Sequence, residues 1–297
     1  MFIIRKNLHC FSNGKKFPVW FCVVMILLVS LSCQNQSAGN LSSPPGYDLT
    51  QPSVVKLPGY LDEISGIAYY PNDKSLFAIN DEKGWLFKIQ LMGSLAIQKW
   101  KYAKGADFED LVLYDSTFYV LQSAGSIISF HFISSDSVIA KTYPSGLPGK
   151  NEFEILYLDS ASNKLMMLCK DCERDDANSL SAFAFDITTH KFSQQPSYVI
   201  DVRKIETIMK QKKVKFKPSA AAINPQTGQL YIISSVNKLI VVGDKDGNPE
   251  SVFRINPKLY KQPEGLTFTP EGHLLISNES ADIGAANVLL FKYNKAQ

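Results

Sequence analysis

The chain has 297 residues, of which 45% are apolar, so it can bury a sizeable core in one large domain or two small ones. Its net charge of +3 comes from 31 basic and 28 acidic residues, but the first 33 residues hold four of the basic residues and no acidic ones, which leaves 27 against 28. This balance excludes the strongly basic footprint that is typical of nucleic-acid-binding proteins.

The first predicted element is a targeting segment. Residues 1–33 combine a basic start, an unbroken apolar run over 19–29 and small residues before Cys33. Because this run is too short to span a membrane, it predicts a secretory signal. Cys33 stands where the lipobox of bacterial lipoproteins has its lipidated cysteine, although Ser30 is uncommon at its position. We therefore predict a bacterial envelope protein anchored to the inner or outer membrane through Cys33; an ordinary signal peptide cut nearby is the alternative.

Residues 34–51 form the second predicted element. The segment opens with QNQSAGNLSSPPG and is rich in Ser, Asn, Gly and Pro. Such a composition does not pack a core and is typical of flexible linkers. We predict a flexible tether here, followed by a folded domain over residues 52–297.

A motif of about 45 residues recurs five times in that domain. Each copy opens on a short alternating run, at 64–71, 108–115, 153–160, 218–225 and 263–270, and two further apolar runs follow it. The second residue of each opening run is a serine or a glutamate, which we call the head residue. The head residues, spaced by 44, 45, 65 and 45 positions, are Ser65, Glu109, Glu154, Ser219 and Glu264.

The repeat predicts the fold. Short apolar runs separated by Gly, Asn, Asp and Ser turns are typical of antiparallel strands. A period of about 45 residues with about four strands is typical of a propeller blade. A β-sandwich also has short strands, but it would not repeat one motif five times. The sequence therefore predicts an all-β, five-bladed β-propeller.

Two segments fall outside the repeat. The insertion at 199–217, between the third and fourth copies, places Val202, Ile205 and Met209 at helical spacing, so we predict a helix there with a solvated, lysine-rich face. The last copy leaves no room for a fourth strand before the chain ends. We predict that the strand at 53–57 supplies it and closes the ring, since an open ring would expose strand edges.

The opening runs also resemble a known family. EISGIAYYP, DFEDLVLY, EFEILYLD and QPEGLTF, in this order, are similar to the SdiA-regulated (YjiK-like) family of bacterial envelope proteins, over about residues 52–293. The resemblance implies a five-bladed propeller distantly similar to NHL-repeat propellers, with a calcium site and no established enzymatic activity. The glycine that follows the head residue in this family is kept only at Gly66 and Gly265. Asp110, Ile155 and Ala220 replace it in the other copies, and Lys217 stands where the fourth blade often has an acid.

The head residues are the candidate site. The first strand of each blade lines the channel of a propeller, so the head residues should face one another at its mouth. Glu63, Asp107 and Glu152 lie two residues earlier, on the same side of their strands. So many carboxylates near one axis either protonate or share a cation.

Hard oxygen ligands without histidine or thiol favour calcium over zinc or copper. The predicted calcium ligands are Glu109, Glu154, Glu264, Ser65 and Ser219. The alternative is that the glutamates cap strands by accepting backbone N–H groups from the neighbouring blade.

The sequence offers little support for catalysis. It lacks a G-x-S-x-G elbow, an H-E-x-x-H motif and a Gly-rich phosphate loop. We predict a binding or scaffold module without catalytic residues, which takes an unidentified ligand or protein at the propeller mouth. The alternative is a calcium-dependent hydrolase of the lactonase type. Further oxygens at the ends of the second runs would come from Asn80, Asp81, Asn278 and Glu279.

Cys169 and Cys172 form a single C-x-x-C motif. Such a motif is a redox pair, half of a zinc site or a small-loop disulfide. A structural zinc site normally needs a second pair, which the sequence lacks, and acidic, loop-like residues follow the motif instead of a helix. We interpret the two cysteines as an incidental pair that an oxidising envelope can link as a disulfide.

Overall fold

In the computed structural model, residues 42–280 and 285–295 are described, and they form five antiparallel sheets. The first ten strands are β1 (Ser53–Lys56), β2 (Ile64–Tyr70), β3 (Ser75–Asn80), β4 (Trp85–Gln90), β5 (Ile97–Lys101), β6 (Phe108–Tyr114), β7 (Thr117–Gln122), β8 (Ile127–Phe132), β9 (Val138–Tyr143) and β10 (Asn151–Asp159). The others are β11 (Lys164–Cys172), β12 (Ser179–Asp186), β13 (Lys191–Phe192), β14 (Tyr198–Asp201), β15 (Ala220–Ile223), β16 (Leu230–Ser234), β17 (Leu239–Gly243), β18 (Pro249–Arg254), β19 (Pro263–Phe268), β20 (Leu274–Asn278) and β21 (Asn287–Phe291).

The five sheets are the blades of a propeller, as predicted. Blade 1 is β2–β5, blade 2 is β6–β9, blade 3 is β10–β12 with β13 and β14 both paired to β12, blade 4 is β15–β18 and blade 5 is β19–β21 with β1. The first strands of successive blades neighbour one another, and β19 returns to β2. The inner strands therefore form a closed ring around the channel.

The core lies between the blades. Five clusters of buried apolar side chains occur, one at each interface between consecutive blades. Between blades 1 and 2, for example, the rings of Phe77 and Phe118 meet edge to face with their centroids 4.8 Å apart. Second strands such as β3 are covered on both faces and are buried throughout. This explains why they appear in the sequence as unbroken apolar runs.

The N-terminal strand closes the last blade, which confirms the predicted closure. Ser53 pairs with Leu290 and Lys56 with Asn287 in the antiparallel pair β1–β21. The pairing continues past the strand, where the backbone N–H of Leu57 donates to the carbonyl of Ala286 at 2.9 Å. The two ends of the domain are therefore joined in one sheet.

The predicted helix is present as α1 (Val202–Met209), after blade 3 and before blade 4. Val202 and Ile205 are buried in the cluster between those blades, which explains the helical spacing of apolar residues. Asp201 caps the helix by accepting a hydrogen bond from the backbone N–H of Arg203 at 3.0 Å. The lysines of the insertion, at 204, 210, 212, 213 and 215, are exposed. No helix among the described residues is long and apolar enough to span a membrane.

The last residues of the predicted tether pack against the propeller before residue 52. Tyr47 and Leu49 are buried in the cluster between blades 4 and 5. The Tyr47 hydroxyl donates to the carbonyl of Gly272 at 2.5 Å, and the Tyr260 hydroxyl donates to the carbonyl of Leu49 at 2.9 Å. Two large apolar side chains in a polar segment are sufficient to dock it. Residues 1–41, with the predicted signal, Cys33 and the start of the tether, lie outside the described residues.

Candidate functional site

The head glutamates are placed by β-bulges. In blade 2 the strand register passes from Phe108 directly to Asp110, and in blade 3 it passes from Phe153 to Ile155. The register of blade 5 skips residue 264 in the same way. Each head glutamate is thus the extra residue of a bulge, a feature that often re-aims a side chain at a functional site.

All five head residues line one cavity, as the repeat predicts. The cavity has a volume of about 580 Å³ and lies where the first strands begin. Its charged lining consists of eight acids and two lysines, namely Glu63, Asp81, Asp107, Glu109, Glu152, Glu154, Glu264, Glu279, Lys150 and Lys170. We call this space the mouth cavity. Two residues beyond each head residue, the same strands carry an apolar, buried side chain, and these five side chains line a second cavity instead. They are Ile67, Leu111, Leu156, Ala221 and Leu266.

Several of these carboxyl groups resist ionisation. Burial, together with the nearby Glu154 and Asp107 carboxylates, raises the pKa of Glu109 to about 8. Burial and the carboxylates of Glu154 and Glu279 raise the pKa of Glu264 to about 8 as well. A cation bound near these carboxylates would favour their ionised form and lower both pKa values.

Lys170 is a charged residue of the mouth cavity that the sequence analysis missed. Its ammonium nitrogen Nζ bonds the Glu154 carboxylate and lies 3.5 Å from Glu152 Oε1. Although burial alone would lower it, the pKa of Lys170 is raised by these partners. Lys170 follows the second apolar run of its copy as Asp81 and Glu279 follow theirs. Aligning the copies at that position would therefore have identified it.

The head serines join neighbouring blades. The Ser65 hydroxyl of blade 1 donates to the carbonyl of Phe108 in blade 2 at 3.2 Å. The Ser219 hydroxyl of blade 4 donates to the carbonyl of Pro263 in blade 5 at 2.7 Å. Their protons are therefore engaged in the ring, and their role as metal ligands stays a prediction.

Strand capping between blades is performed by Asp110. Its side chain is 3% exposed and accepts hydrogen bonds from the backbone N–H groups of Leu111 and Leu156, both at 2.8 Å. Leu156 belongs to blade 3, so this carboxylate links two blades. Asp110 occupies the position that is glycine at Gly66, where an added Cβ would lie 2.3 Å from the Leu111 nitrogen. The departure from the expected glycine therefore has a structural role of its own.

A sequence model described as SdiA-regulated matches residues 43–281. The chain belongs to the SdiA-regulated family. No curated protein matches it in sequence.

Solved structures similar to this SdiA-regulated propeller share its fold at low sequence identity. One is the glutaminyl cyclase of Myxococcus xanthus, with 11% identity, a TM-score of 0.52, and coverage of 82% of this chain and 97% of that one. Another is a protein of Agrobacterium tumefaciens described as calcium-binding regucalcin, with 13% identity, a TM-score of 0.48, and coverage of 84% and 95%. The first of these two likenesses shows the fold alone, and nothing about activity follows from either.

The mouth cavity of this family member offers the donor chemistry that calcium prefers. Carboxylate and hydroxyl oxygens line it, and the buried Oδ1 atom of Asp81 accepts no hydrogen bond from the described residues. Burial and the carboxylates of Glu63 and Glu82 raise the pKa of Asp81 to about 6. An oxygen without a hydrogen-bond donor is suited to a metal ion. The residues therefore fit calcium chemically.

The donors are not drawn together into a tight cluster. Among residues 42–280 and 285–295, no three cavity carboxylates have oxygens that all lie within 4.8 Å of one another. Lys170 also engages Glu154, one of the three predicted glutamate ligands. A calcium ion here would complete its six to eight ligands with water.

The residues at the ends of the second strands divide into two groups. Asp81 and Glu279 line the mouth cavity, whereas Asn80 and Asn278 do not. Both asparagines are buried, and their Oδ1 atoms accept no hydrogen bond from the part of the chain that the structure describes. Of the four further oxygens that the sequence suggested, only the two carboxylates are placed to reach a ligand in the cavity.

Proposed function

We propose that this SdiA-regulated protein is a binding module that holds calcium in the mouth cavity and receives its ligand or protein partner there. One observation supports this most strongly: eight carboxylates and only two lysines surround a single cavity. Neither Glu109 nor Glu264 forms an ion pair with another described residue. A divalent cation would supply the missing positive charge.

Calcium fits a binding role better than a catalytic one. The described histidines, His131, His190 and His273, do not line the mouth cavity, so imidazole is absent from its wall. The alternative remains a calcium-dependent hydrolase of the lactonase type. It is favoured by Asp81, since a carboxylate with a pKa of about 6 is suited to accept a proton near neutral pH.

Metal analysis of the purified protein separates these functions. We expect about one calcium per chain after dialysis against a calcium-containing buffer, and none after dialysis against a chelator. A panel of lactones and phosphoesters should show no calcium-dependent turnover. Turnover that is lost in Asp81→Asn would establish the hydrolase instead. Protein that retains no calcium under either condition would contradict both functions.

The second part of the proposal is that the protein is anchored in the bacterial envelope by a lipid on Cys33. Cys33→Ala is expected to block processing or to release the protein into the soluble envelope fraction, because the acyl chains provide the membrane affinity. Cell fractionation followed by immunoblotting measures this. The matched control is Cys22→Ala, which alters a cysteine within the apolar run of the signal and should leave membrane association intact. Membrane association that survives Cys33→Ala would contradict a lipid anchor.

A further inference from the structure

The C-x-x-C motif lies in a double bulge beside the mouth cavity. On strand β11, Cys169 pairs with Phe153 and Asp171 pairs with Glu152, so Lys170 has no partner in the register. Glu154 is skipped on the facing strand β10. Two bulged residues of opposite charge therefore meet at one point of blade 3.

A disulfide bond closes this bulge. Cys169 and Cys172 are linked, so the sulfurs are not available as zinc ligands. Both cysteines are buried, at 0% and 3% exposure, in the cluster between blades 2 and 3. Lys170 and Asp171 lie between the two linked cysteines, and their side chains extend in different directions. Asp171 is exposed and lies 3.4 Å from Lys217, whereas Lys170 reaches into the mouth cavity.

The Lys170 ammonium occupies a position between two glutamates that a bound cation could otherwise take. Its ammonium contacts both Glu152 and Glu154, whereas Glu109 and Glu264 have no lysine of their own among the described residues. The acidic lining is therefore divided into a neutralised side at blade 3 and an open side formed by Glu109 and Glu264, since Glu63 pairs with Lys83 at 3.6 Å. A cation that enters the cavity is attracted to the open side and repelled from Lys170.

We propose that Lys170 determines where and how tightly the mouth cavity binds a cation and that the Cys169–Cys172 disulfide is the positioning element that holds Lys170 there. This inference rests on the proposed calcium function. Lys170 confines calcium to the open side and lowers the affinity of the whole cavity. Without the disulfide, the bulge relaxes and the ammonium no longer stays between its two glutamates.

The first test is calcium titration by calorimetry with variants of Lys170. Lys170→Met removes the competing charge, so we expect calcium to bind roughly tenfold more tightly or at a second position, as expected for the loss of a like charge a few ångströms away. Lys170→Arg keeps the charge and should bind calcium as the wild type does. If the wild type binds calcium and Lys170→Met binds it with the same affinity, the proposed effect of Lys170 on affinity would be overturned.

The second test separates positioning from a general structural role. The double variant Cys169→Ala/Cys172→Ala should tighten calcium binding several-fold when Lys170 is present and leave it unchanged in the Lys170→Met background. A disulfide that only stabilises the blade would change calcium binding equally in both backgrounds. Equal changes would therefore overturn the positioning role.

A calcium-free measurement keeps the inference distinct from the proposed function. In chelator, urea unfolding of Lys170→Met, Glu154→Gln and their combination gives the coupling between these residues. We expect Lys170 and Glu154 to be coupled in the protein that has the disulfide. In the cysteine-free protein this coupling should be clearly smaller. If the coupling is lost but no variant binds calcium, the positioning role stands, while the calcium function and the effect of Lys170 on calcium affinity are wrong. Coupling that persists without the disulfide would overturn the positioning role whether or not calcium binds.

Discussion

Calcium is expected to raise the melting temperature of this propeller, and chelator is expected to lower it again. A metal that binds only the folded state stabilises it by about 2.7 kcal/mol at a hundredfold excess over Kd. For a domain of this size, that corresponds to a rise of roughly 5–10 °C. Differential scanning fluorimetry at several calcium concentrations measures the rise, which should continue with the logarithm of the calcium concentration above Kd.

Variants at matched acids assign this response to the mouth cavity. Glu264→Gln removes one predicted ligand while keeping its size, so it should reduce the calcium-dependent rise by at least half. Glu250→Gln is the control, because Glu250 is exposed on β18 and accepts a hydrogen bond from the Gln229 side chain far from the cavity lining. An equal response in both variants would place the calcium elsewhere. A melting temperature that is insensitive to both calcium and chelator would show that the glutamates are not metal ligands.

The fold was predictable because each blade repeats the same physical pattern. Second and third strands such as β16 and β17 are covered on both faces, so they are unbroken apolar runs in the sequence. The outer strands lack such a signal. In β9, four of the six residues are exposed, and alternation is correspondingly weak. Outer strands are therefore identified by their place in the repeat and not by their own residues.

The candidate site was predictable only where its residues follow the repeat. The head residues share one position in every copy, and the structure brings all five to the mouth cavity. In blade 3, the basic Lys170 stands at the position that the acidic Asp81 and Glu279 occupy in blades 1 and 5. The residue type at this position therefore differs between copies. Asp110 and Tyr47 were missed for related reasons: one replaces an expected glycine, and the other is an aromatic residue in a polar segment.

The calcium-free protein is expected to lose stability as the pH rises from about 5 to 8.5. Glu109 and Glu264 have pKa values of about 8 in the folded protein against a usual value of 4.5. Between these values the folded state binds more protons than the unfolded state, so the free energy of unfolding falls with increasing pH. The stabilisation is fully present below pH 4.5 and is lost as the pH passes through 8. An unscreened shift would change the free energy of unfolding by about 1.4 kcal/mol per pKa unit for each group. Because solvent partly screens both groups, we expect a smaller total loss, of about 2–4 kcal/mol for the two together.

Urea unfolding in chelator at pH 5, 6, 7 and 8.5 measures this slope. Surface acids do not contribute to it. Asp176 and Asp186 have pKa values lowered by backbone N–H groups, so their stabilisation is lost only at more acidic pH. The double variant Glu109→Gln/Glu264→Gln should reduce the slope, and the part that remains comes from other carboxyl groups with raised pKa values, such as Asp81 and Glu279. Saturating calcium should reverse it in the wild type, because the metal binds the ionised carboxylates and competes with protons. A wild-type slope near zero in chelator would show that these two carboxyl groups ionise normally in the fold, so that their raised pKa values would no longer support the proposed calcium site.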